Sequence, residues 1–252
     1  MTIADAVFLG IIQGLTEFLP ISSSGHLVIA QSLLGVIQPG NEFEVLVHIG
    51  TLMSVLVVFK ADIFELLFNI RSKNTQKYIS FIILGTVPAV FIGLGYKDFI
   101  GSLFDNLRTI GIALIFTGIV LFNSQFAIKK NLKHSIYTAL LIGCAQAIAI
   151  IPGVSRSGMT ISMALFLGFL PREAARFSFL LAIPAISGAG ILTMIDLNGS
   201  SNDFIITGII GMSSSFLVGF FALKWLLGWL EKGKIYYFGI YCFLIGLFTL
   251  FS

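Results

Sequence analysis

QGLTEFLPISSSGHL, residues 13–27, interrupts a hydrophobic segment that runs from residue 3 to residue 35. A helix that crosses a membrane needs about 20 consecutive apolar residues, whereas this segment has a glutamate, a proline, serines and a histidine near its centre. The interruption leaves two limbs of roughly 16 residues, or about 24 Å of helix each, which is shorter than a hydrocarbon core of about 30 Å. These lengths predict a re-entrant helical hairpin (residues 3–35) whose polar tip lies inside the membrane.

A second hydrophobic segment, residues 136–168, is interrupted in the same way by IPGVSRSGMTIS at residues 151–162. Ser22–Gly25 of the first interruption aligns with Ser155–Gly158 of the second at an offset of 133 residues. Matching features at a fixed offset indicate an internal duplication, which is common among membrane proteins. We therefore predict a second re-entrant hairpin over residues 136–168.

The composition places most of the chain in lipid. Hydrophobic residues make up 57% of the chain and charged residues 11%, whereas soluble domains contain about 25% charged residues. The net charge of +3 comes from basic residues between hydrophobic segments, so no nucleic-acid partner is expected. We predict one membrane domain, residues 1–252, with repeat 1 at about 1–128 and repeat 2 at about 135–252.

Six further segments are long and apolar enough to cross a membrane as single helices of about 20 residues. They are residues 42–60, 78–96, 108–128, 174–194, 204–223 and 235–251. If each interrupted segment enters and leaves on the same side, 12 Lys and Arg residues lie in loops on one side and 2 on the other. An excess of basic residues marks the cytoplasmic side, which predicts that both termini face outside.

Three spans separate the two hairpins, so the repeats have opposite orientations in the membrane. One hairpin then enters from outside and the other from inside, and their tips meet. Irregular backbone at that depth is tolerated only beside protein or a water-filled cavity. The predicted fold is an all-α polytopic membrane protein, an inverted-topology internal repeat with six spanning helices and two re-entrant helical hairpins around a polar cavity.

The polar groups of the two tips are those that bind phosphate. Arg156 offers a planar fork of donors, and glycines at the start of a helix let backbone amides approach an anion. Arg156 and Glu17 are ionisable groups inside hydrophobic segments, which is costly unless they are paired or functional. The predicted substrate-binding residues are Gln13, Ser22, Ser24, Gly25, Ser155, Ser157, Gly158 and Thr160.

Residues of the first tip suggest hydrolysis as well as binding. His26 is expected to act as an acid or base, and Ser23 beside it is a candidate nucleophile. Glu17 is expected to hold a divalent cation or to hold His26 in place. One mechanism has His26 deprotonate Ser23 for attack on phosphorus, and in its variants water or His26 is the attacking group.

Structural roles compete with these assignments. A Glu17–Arg156 pair can serve packing alone, and Ser and Gly are common where helices approach closely in lipid. His48 is predicted to be a hydrogen-bonded wall residue of a span, and His134, beside a basic loop, is predicted to be solvated. A site is favoured because two matching tips concentrate every type of group that phosphoryl chemistry needs.

The chain resembles the bacterial undecaprenyl-diphosphate phosphatases of the bacitracin-resistance family, essentially from end to end. That family has an (E/Q)-x-x-x-E pattern followed by P-x-S-S-x-G-H, which correspond here to Gln13…Glu17 and Pro20–His26. Its second motif, P-G-x-S-R-S-G-x-x-T, corresponds to Pro152–Thr160. Gln13 takes the amide option of the first pattern, which argues against a metal site built from two carboxylates.

The resemblance implies hydrolysis of undecaprenyl diphosphate to the monophosphate, which recycles the lipid carrier for cell-wall synthesis and confers bacitracin resistance. It implies a divalent cation, Mg²⁺ or Ca²⁺, with Glu17 on the metal or on His26. Arg156 would bind the phosphates, and Ser23 or His26 would take part in the displacement. It further implies a bacterial plasma-membrane location among membrane lipids and a site open to the outer face. The sequence leaves open the prenyl chain length and whether the protein forms a homodimer.

Two other families fit parts of the pattern. Type-2 phosphatidate phosphatases also contain a P-S-G-H element, but their S-R element is followed by a histidine nucleophile, which the sequence after Ser155-Arg156 lacks. Secondary transporters also join broken helices at the membrane midplane, so phosphate transport or lipid-carrier flipping is the alternative function. His26 beside the serines favours the phosphatase, because a pure transporter needs no acid–base group.

Overall fold

The computed structural model of the protein is helical. It describes residues 1–36, 42–104, 106–128, 130–196 and 202–251, and no β-strand occurs in these ranges. The helices are α1 (Ile3–Phe18), α2 (Ser23–Leu34), α3 (Glu42–Val58), α4 (Lys60–Phe68), α5 (Lys73–Gly95), α6 (Lys97–Leu103), α7 (Leu107–Asn123), α8 (Ile136–Ile148), α9 (Arg156–Leu167), α10 (Pro171–Asp196), α11 (Asn202–Glu231) and α12 (Tyr236–Phe251). Lys129, one of the basic residues counted above for topology, lies outside the described residues.

Among the described residues, four helices are long and apolar enough to cross a membrane, namely α5, α7 extended to Phe126, α10 and α11. Helices α3 and α4 form a fifth candidate if they are taken together, although the pair is bent by 69°. The predicted span 235–251 is the 16-residue helix α12, which is apolar but shorter than a straight crossing needs. The all-helical, polytopic membrane class is thus confirmed, and the number of six spans stays a prediction.

Both interrupted segments fold as two helices joined by a break. The first break, residues 19–22, separates α1 from α2, and the second break, residues 149–155, separates α8 from α9. In each segment the two helices also pack against one another. Residues 3–35 and 136–168 therefore have the interruption that their polar tips predicted.

The same local chemistry begins the helix after each break. The Ser22 hydroxyl accepts a hydrogen bond from the backbone amide of Gly25 at 3.3 Å, and the Ser155 hydroxyl accepts one from Gly158 at 3.1 Å. Such N-caps satisfy an amide that the first helical turn leaves without a partner. The serines at equivalent positions of the two segments thus fix where α2 and α9 begin.

Helix packing has a pattern related by the same offset of 133 residues. Helix α1 packs on α11 as its counterpart α8 packs on α5, and α3 packs on α11 as α10 packs on α5. The counterparts α7 and α12 pack on each other, as do α3 and α10. An exchange of packing partners between equivalent helices is what two related halves produce, and it supports the predicted duplication.

Close contact between α7 and α12 depends on glycine. A Cβ atom on Gly239 would lie 2.7 Å from the carbonyl oxygen of Gly118, and a Cβ on Gly118 would lie 2.8 Å from that of Gly239. In lipid, small residues favour association because they let helix backbones approach for dispersion contacts. This contact fixes α12 beside the rest of the fold, with Tyr241 half a turn beyond the glycine.

The prediction that His134 is solvated is wrong. The centroid of its ring lies 4.5 Å from that of Phe169 and 4.6 Å from that of Phe177. Neither ring nitrogen has a hydrogen-bond partner among the described residues. Burial, together with the charge of Arg176, lowers the pKa of His134 to about 4.

Acid is therefore expected to destabilise the fold through His134. In the unfolded chain an imidazole binds its proton at about pH 6.5, whereas the folded protein binds it only at about 4, so stability is lost as the pH falls between these values. His134→Phe keeps a ring between Phe169 and Phe177 but does not titrate, so its unfolding midpoint should depend less on pH. Thermal unfolding in detergent from neutral pH to about pH 5 measures this, and parallel curves for both proteins would contradict it.

Candidate active site

The two breaks lie against each other. The amide of Gly153 donates a hydrogen bond to the Ser24 hydroxyl at 3.5 Å, and the Ser157 hydroxyl donates to the Leu19 carbonyl at 3.5 Å. A Cβ atom on Gly25 would lie 3.1 Å from the Cα atom of Gly153, so the glycine at position 25 permits the close approach. The polar residues of the two interrupted segments therefore share one region of the protein.

Glu17 is the centre of this region. Its Oε1 accepts a hydrogen bond from Nη2 of Arg156 at 2.5 Å. Its Oε2 accepts hydrogen bonds from the Ser23 hydroxyl at 2.6 Å and from Nε2 of Gln13 at 3.1 Å. The Glu17 side chain is only 5% exposed, and a buried ion pair needs such additional hydrogen bonds to offset its desolvation. A carboxylate from the first interrupted segment and a guanidinium from the second thus form one pair.

Only one of the two terminal nitrogens of the Arg156 guanidinium makes a hydrogen bond among the described residues. Its Nη2 binds Glu17, whereas Nη1 is buried and has no hydrogen-bond partner among the described residues. The same holds for Oε1 of Gln13. Buried polar atoms without partners are rare, and at a site they indicate positions that water or a ligand completes. A guanidinium N–H in this arrangement suits a phosphate oxygen.

His48 is a site residue that the sequence analysis assigned only to the wall of a span. Its Nδ1 donates a hydrogen bond to the carbonyl of Glu44 at 2.6 Å, and its Nε2 lies 3.4 Å from Oε2 of Glu17. The His48 side chain is 27% exposed, so it is more accessible than the Glu17 carboxylate that it approaches. No local pattern could identify it, because the contact depends on how α1 packs against α3.

His26 points away from the Ser23 hydroxyl. Its Nδ1 donates a hydrogen bond to the Ser22 carbonyl at 2.7 Å, and its Nε2 lies 2.9 Å from the hydroxyl of Tyr241. The expected contact, in which His26 deprotonates Ser23, is replaced in the structure by the hydrogen bond from Ser23 to Glu17. Tyr241 is the second residue that the sequence analysis missed, since it lies 215 positions from His26.

The uncommon backbone of the first break has clear local causes. Ser22 has a φ of +70°, in a region that non-glycine residues rarely occupy and that costs about 1–3 kcal/mol. Its hydroxyl caps α2 and its carbonyl accepts the His26 ring hydrogen bond, so both of its polar groups hold that conformation. Residues of this kind occur often at functional sites.

Comparison with known proteins identifies the family of this chain. The family described as bacitracin resistance protein BacA matches residues 6–248, which include both breaks. The chain belongs to the BacA family. The undecaprenyl-diphosphatase of Halothermothrix orenii is 43% identical over 253 residues, covering 98% of this chain and 96% of that protein. The undecaprenyl-diphosphatases of Carboxydothermus hydrogenoformans and Korarchaeum cryptofilum are 41% and 39% identical, covering 96% and 98% of this chain and 94% and 98% of those proteins.

Several predicted phosphate ligands of this BacA-family protein use their polar groups internally. Thr160 donates a hydrogen bond to the Arg156 carbonyl at 2.8 Å and lies 2.5 Å from the Ser178 hydroxyl. The serines that cap α2 and α9 engage the amides of Gly25 and Gly158. A direct role in substrate binding stays a prediction for Ser22, Gly25, Ser155, Ser157, Gly158 and Thr160. Among the polar residues of the tips, Ser23, Ser24, His26 and Arg156 are partly exposed.

The residues around Glu17 do not form a ready-made metal site. Both carboxylate oxygens of Glu17 already accept hydrogen bonds, one of them from the cationic Arg156. Gln13 supplies an amide rather than a second carboxylate. No group of three or more His, Cys, Asp or Glu residues that could hold a metal occurs in the part of the chain that the structure describes. The expectation that Glu17 holds the cation therefore does not fit this donor set.

Proposed function

We propose that this BacA-family protein hydrolyses undecaprenyl diphosphate, or a related polyprenyl diphosphate, to the monophosphate and inorganic phosphate. The supporting observation is the cluster of Ser23, Glu17 and Arg156. The Ser23 hydroxyl and the Arg156 guanidinium both donate hydrogen bonds to the buried Glu17 carboxylate, and Nη1 of the guanidinium has no partner among the described residues. The relatives that cover nearly the whole chain bear the corresponding name. The reaction would return the lipid carrier to cell-wall synthesis, and it accords with the bacitracin resistance for which the family is named.

Ser23 is the proposed attacking group and Glu17 its base. As the bond from Ser23 Oγ to the terminal phosphorus forms, the hydroxyl proton passes to Glu17 Oε2, which lies 2.6 Å away. The bond from that phosphorus to the bridging oxygen breaks, and the polyprenyl monophosphate leaves. Arg156 stabilises the charge on the transferred group. Water gives one proton to Nε2 of His26 as it attacks the phosphoserine, and Glu17 returns its proton to Ser23 Oγ as inorganic phosphate leaves. His26 then releases its proton to solvent.

Replacing Ser23 tests the attacking group. Ser23→Ala is expected to lower phosphate release by about 10²-fold or more, because it removes the atom that bonds to phosphorus. Ser213→Ala, at an exposed position on α11, is the matched control and should keep normal turnover. A covalent phosphoserine trapped in the unaltered protein would agree with this role. Near-normal turnover by Ser23→Ala would instead make water or His26 the attacking group.

For the divalent cation, we propose that it enters with the substrate. Mg²⁺ is commonly bound through substrate phosphates together with only one or two carboxylates. Mg²⁺ or Ca²⁺ held mainly by the diphosphate oxygens would need no cage of protein carboxylates. This proposal agrees with the engaged oxygens of Glu17 and with the amide of Gln13.

For the architecture, we propose the inverted repeat with six spans and two re-entrant hairpins. The exchange of packing partners and the contact between the two breaks support it. The distribution of Lys and Arg supports both termini facing outside. Membership of the BacA family supports a site that opens to the outer face of a bacterial plasma membrane. The prenyl tail would then stay in lipid while the diphosphate reaches Arg156. A homodimer stays a prediction.

One assay separates the phosphatase from the transporter. Protein purified in detergent has no closed compartment, so only a phosphatase can release phosphate from polyprenyl diphosphate there. We expect phosphate release in detergent with Mg²⁺ or Ca²⁺ present. Absence of release in detergent, combined with phosphate flux or lipid flipping in liposomes, would favour transport by the same region.

A further inference from the structure

The last helix reaches the first break through two consecutive residues. The Tyr241 hydroxyl lies 2.9 Å from Nε2 of His26, and the two rings are stacked with centroids 5.6 Å apart and an angle of 10° between their planes. The next residue, Cys242, is buried and donates a weak hydrogen bond from its thiol to the Pro20 carbonyl at 3.6 Å. Helix α12 therefore contacts the Pro20 carbonyl in the first break and the His26 side chain at the start of α2.

The hydrogen bonds of His26 determine which ring nitrogen holds the proton. Nδ1 lies 2.7 Å from the Ser22 carbonyl, and because a carbonyl can only accept, Nδ1 is the protonated nitrogen of the neutral ring. Nε2 is then an acceptor, and the Tyr241 hydroxyl donates to it. The Tyr241 hydroxyl thereby fixes both the tautomer and the direction of the lone pair on Nε2.

This arrangement also governs proton uptake by His26. When Nε2 takes a proton it becomes a donor, and the Tyr241 oxygen must then accept from it and turn its own O–H elsewhere. Tyr241 is 39% exposed and His26 is also partly exposed, so neither side chain is sealed inside the protein. The two side chains thus change their hydrogen bonding together.

We propose that Tyr241 is a positioning residue for the active-site histidine and that α12 is thereby part of the active site. Only the kinetic consequence rests on the proposed function, in which Nε2 of His26 accepts a proton from the water that cleaves the phosphoserine. The Tyr241 hydroxyl keeps Nε2 of His26 unprotonated and fixes the direction of its lone pair. The thiol of Cys242 holds α12 against the first break. The C-terminal helix would otherwise have only a packing role.

The kinetic test removes the hydroxyl and keeps the ring. Tyr241→Phe is expected to lower kcat for phosphate release by about three- to tenfold, the usual consequence of losing one hydrogen bond, with KM changed by less than about twofold. Tyr237→Phe, one helical turn earlier on α12 and stacked on Tyr236, is the matched control with unchanged kcat. Equal kcat values for the two variants would overturn the proposal.

A spectroscopic test does not require activity. The chain has three histidines, so nitrogen resonances of ¹⁵N-histidine-labelled protein can be assigned with a His26→Gln variant. We expect an Nδ1-protonated His26 whose Nε2 resonance shifts in Tyr241→Phe and stays in place in Tyr237→Phe. An unchanged Nε2 resonance in Tyr241→Phe would overturn the proposal. If the unaltered protein released no phosphate, the proposed function would fail while this measurement still decided the role of Tyr241.

Discussion

Arg156→Ala is expected to reduce phosphate release by about 10³-fold or more, which is the effect of removing an arginine that stabilises a phosphoryl transition state. The change removes the free Nη1 donor that suits a phosphate oxygen and leaves Glu17 without its counter-charge. Arg156→Lys keeps a charge but loses the planar fork, so it should recover only part of the rate. Phosphate release by purified protein at saturating polyprenyl diphosphate is the measurement.

Loss of folding must be separated from loss of chemistry in that experiment. Arg172→Ala, an exposed position at the start of α10, is the control and should be fully active. Breaking a buried pair from one side is destabilising because it leaves an unpaired charge. The double variant Glu17→Gln with Arg156→Gln should therefore fold better than Arg156→Gln alone, yet remain inactive. An active Arg156→Ala protein would contradict the proposed phosphate site.

Glu17→Gln is expected to lower turnover by about 10²- to 10⁴-fold, the range for loss of a general base. An amide has nearly the same shape, but it does not take the Ser23 proton and cannot pair ionically with Arg156. Initial rates across the pH range measure this, and the variant should be slow at every pH. Raising the pH should not restore the rate, because the missing proton acceptor does not return.

The control for Glu17→Gln is Glu65→Gln. Glu65 is an exposed carboxylate on α4 that also contacts an arginine, Arg176, but at 3.4 Å and outside both breaks. Exposed ion pairs contribute little, so this variant should keep both activity and stability. Normal turnover by Glu17→Gln would show that Ser23 is not activated by this carboxylate.

The sequence predicted the parts of the site that depend on local composition. Polar residues inside apolar segments locate both breaks, and the Ser and Gly residues locate the starts of α2 and α9. Their mutual contact was also predicted, because an odd number of predicted spans between the two segments gives them opposite orientations and brings their tips together. The structure pairs Glu17 with Arg156 accordingly.

The parts that the sequence did not predict depend on packing between distant helices. His48 and Tyr241 lie on apolar helices that look like ordinary spans, and only their contacts with Glu17 and His26 distinguish them. The bend between α3 and α4 could not be predicted from the sequence, because no proline lies at the junction of the two helices. The burial of His134 was not predicted for the same reason, because its neighbours Phe169 and Phe177 belong to other segments of the chain.

An experimental structure in a lipid bilayer, with a non-hydrolysable polyprenyl diphosphate bound, tests the convergence of the two breaks most directly. We expect Glu17 and Arg156 in hydrogen-bond contact within the hydrocarbon region, with the terminal phosphate at the Arg156 guanidinium and close to Ser23. A structure with Glu17 and Arg156 near opposite surfaces of the bilayer, and the diphosphate bound elsewhere, would contradict it.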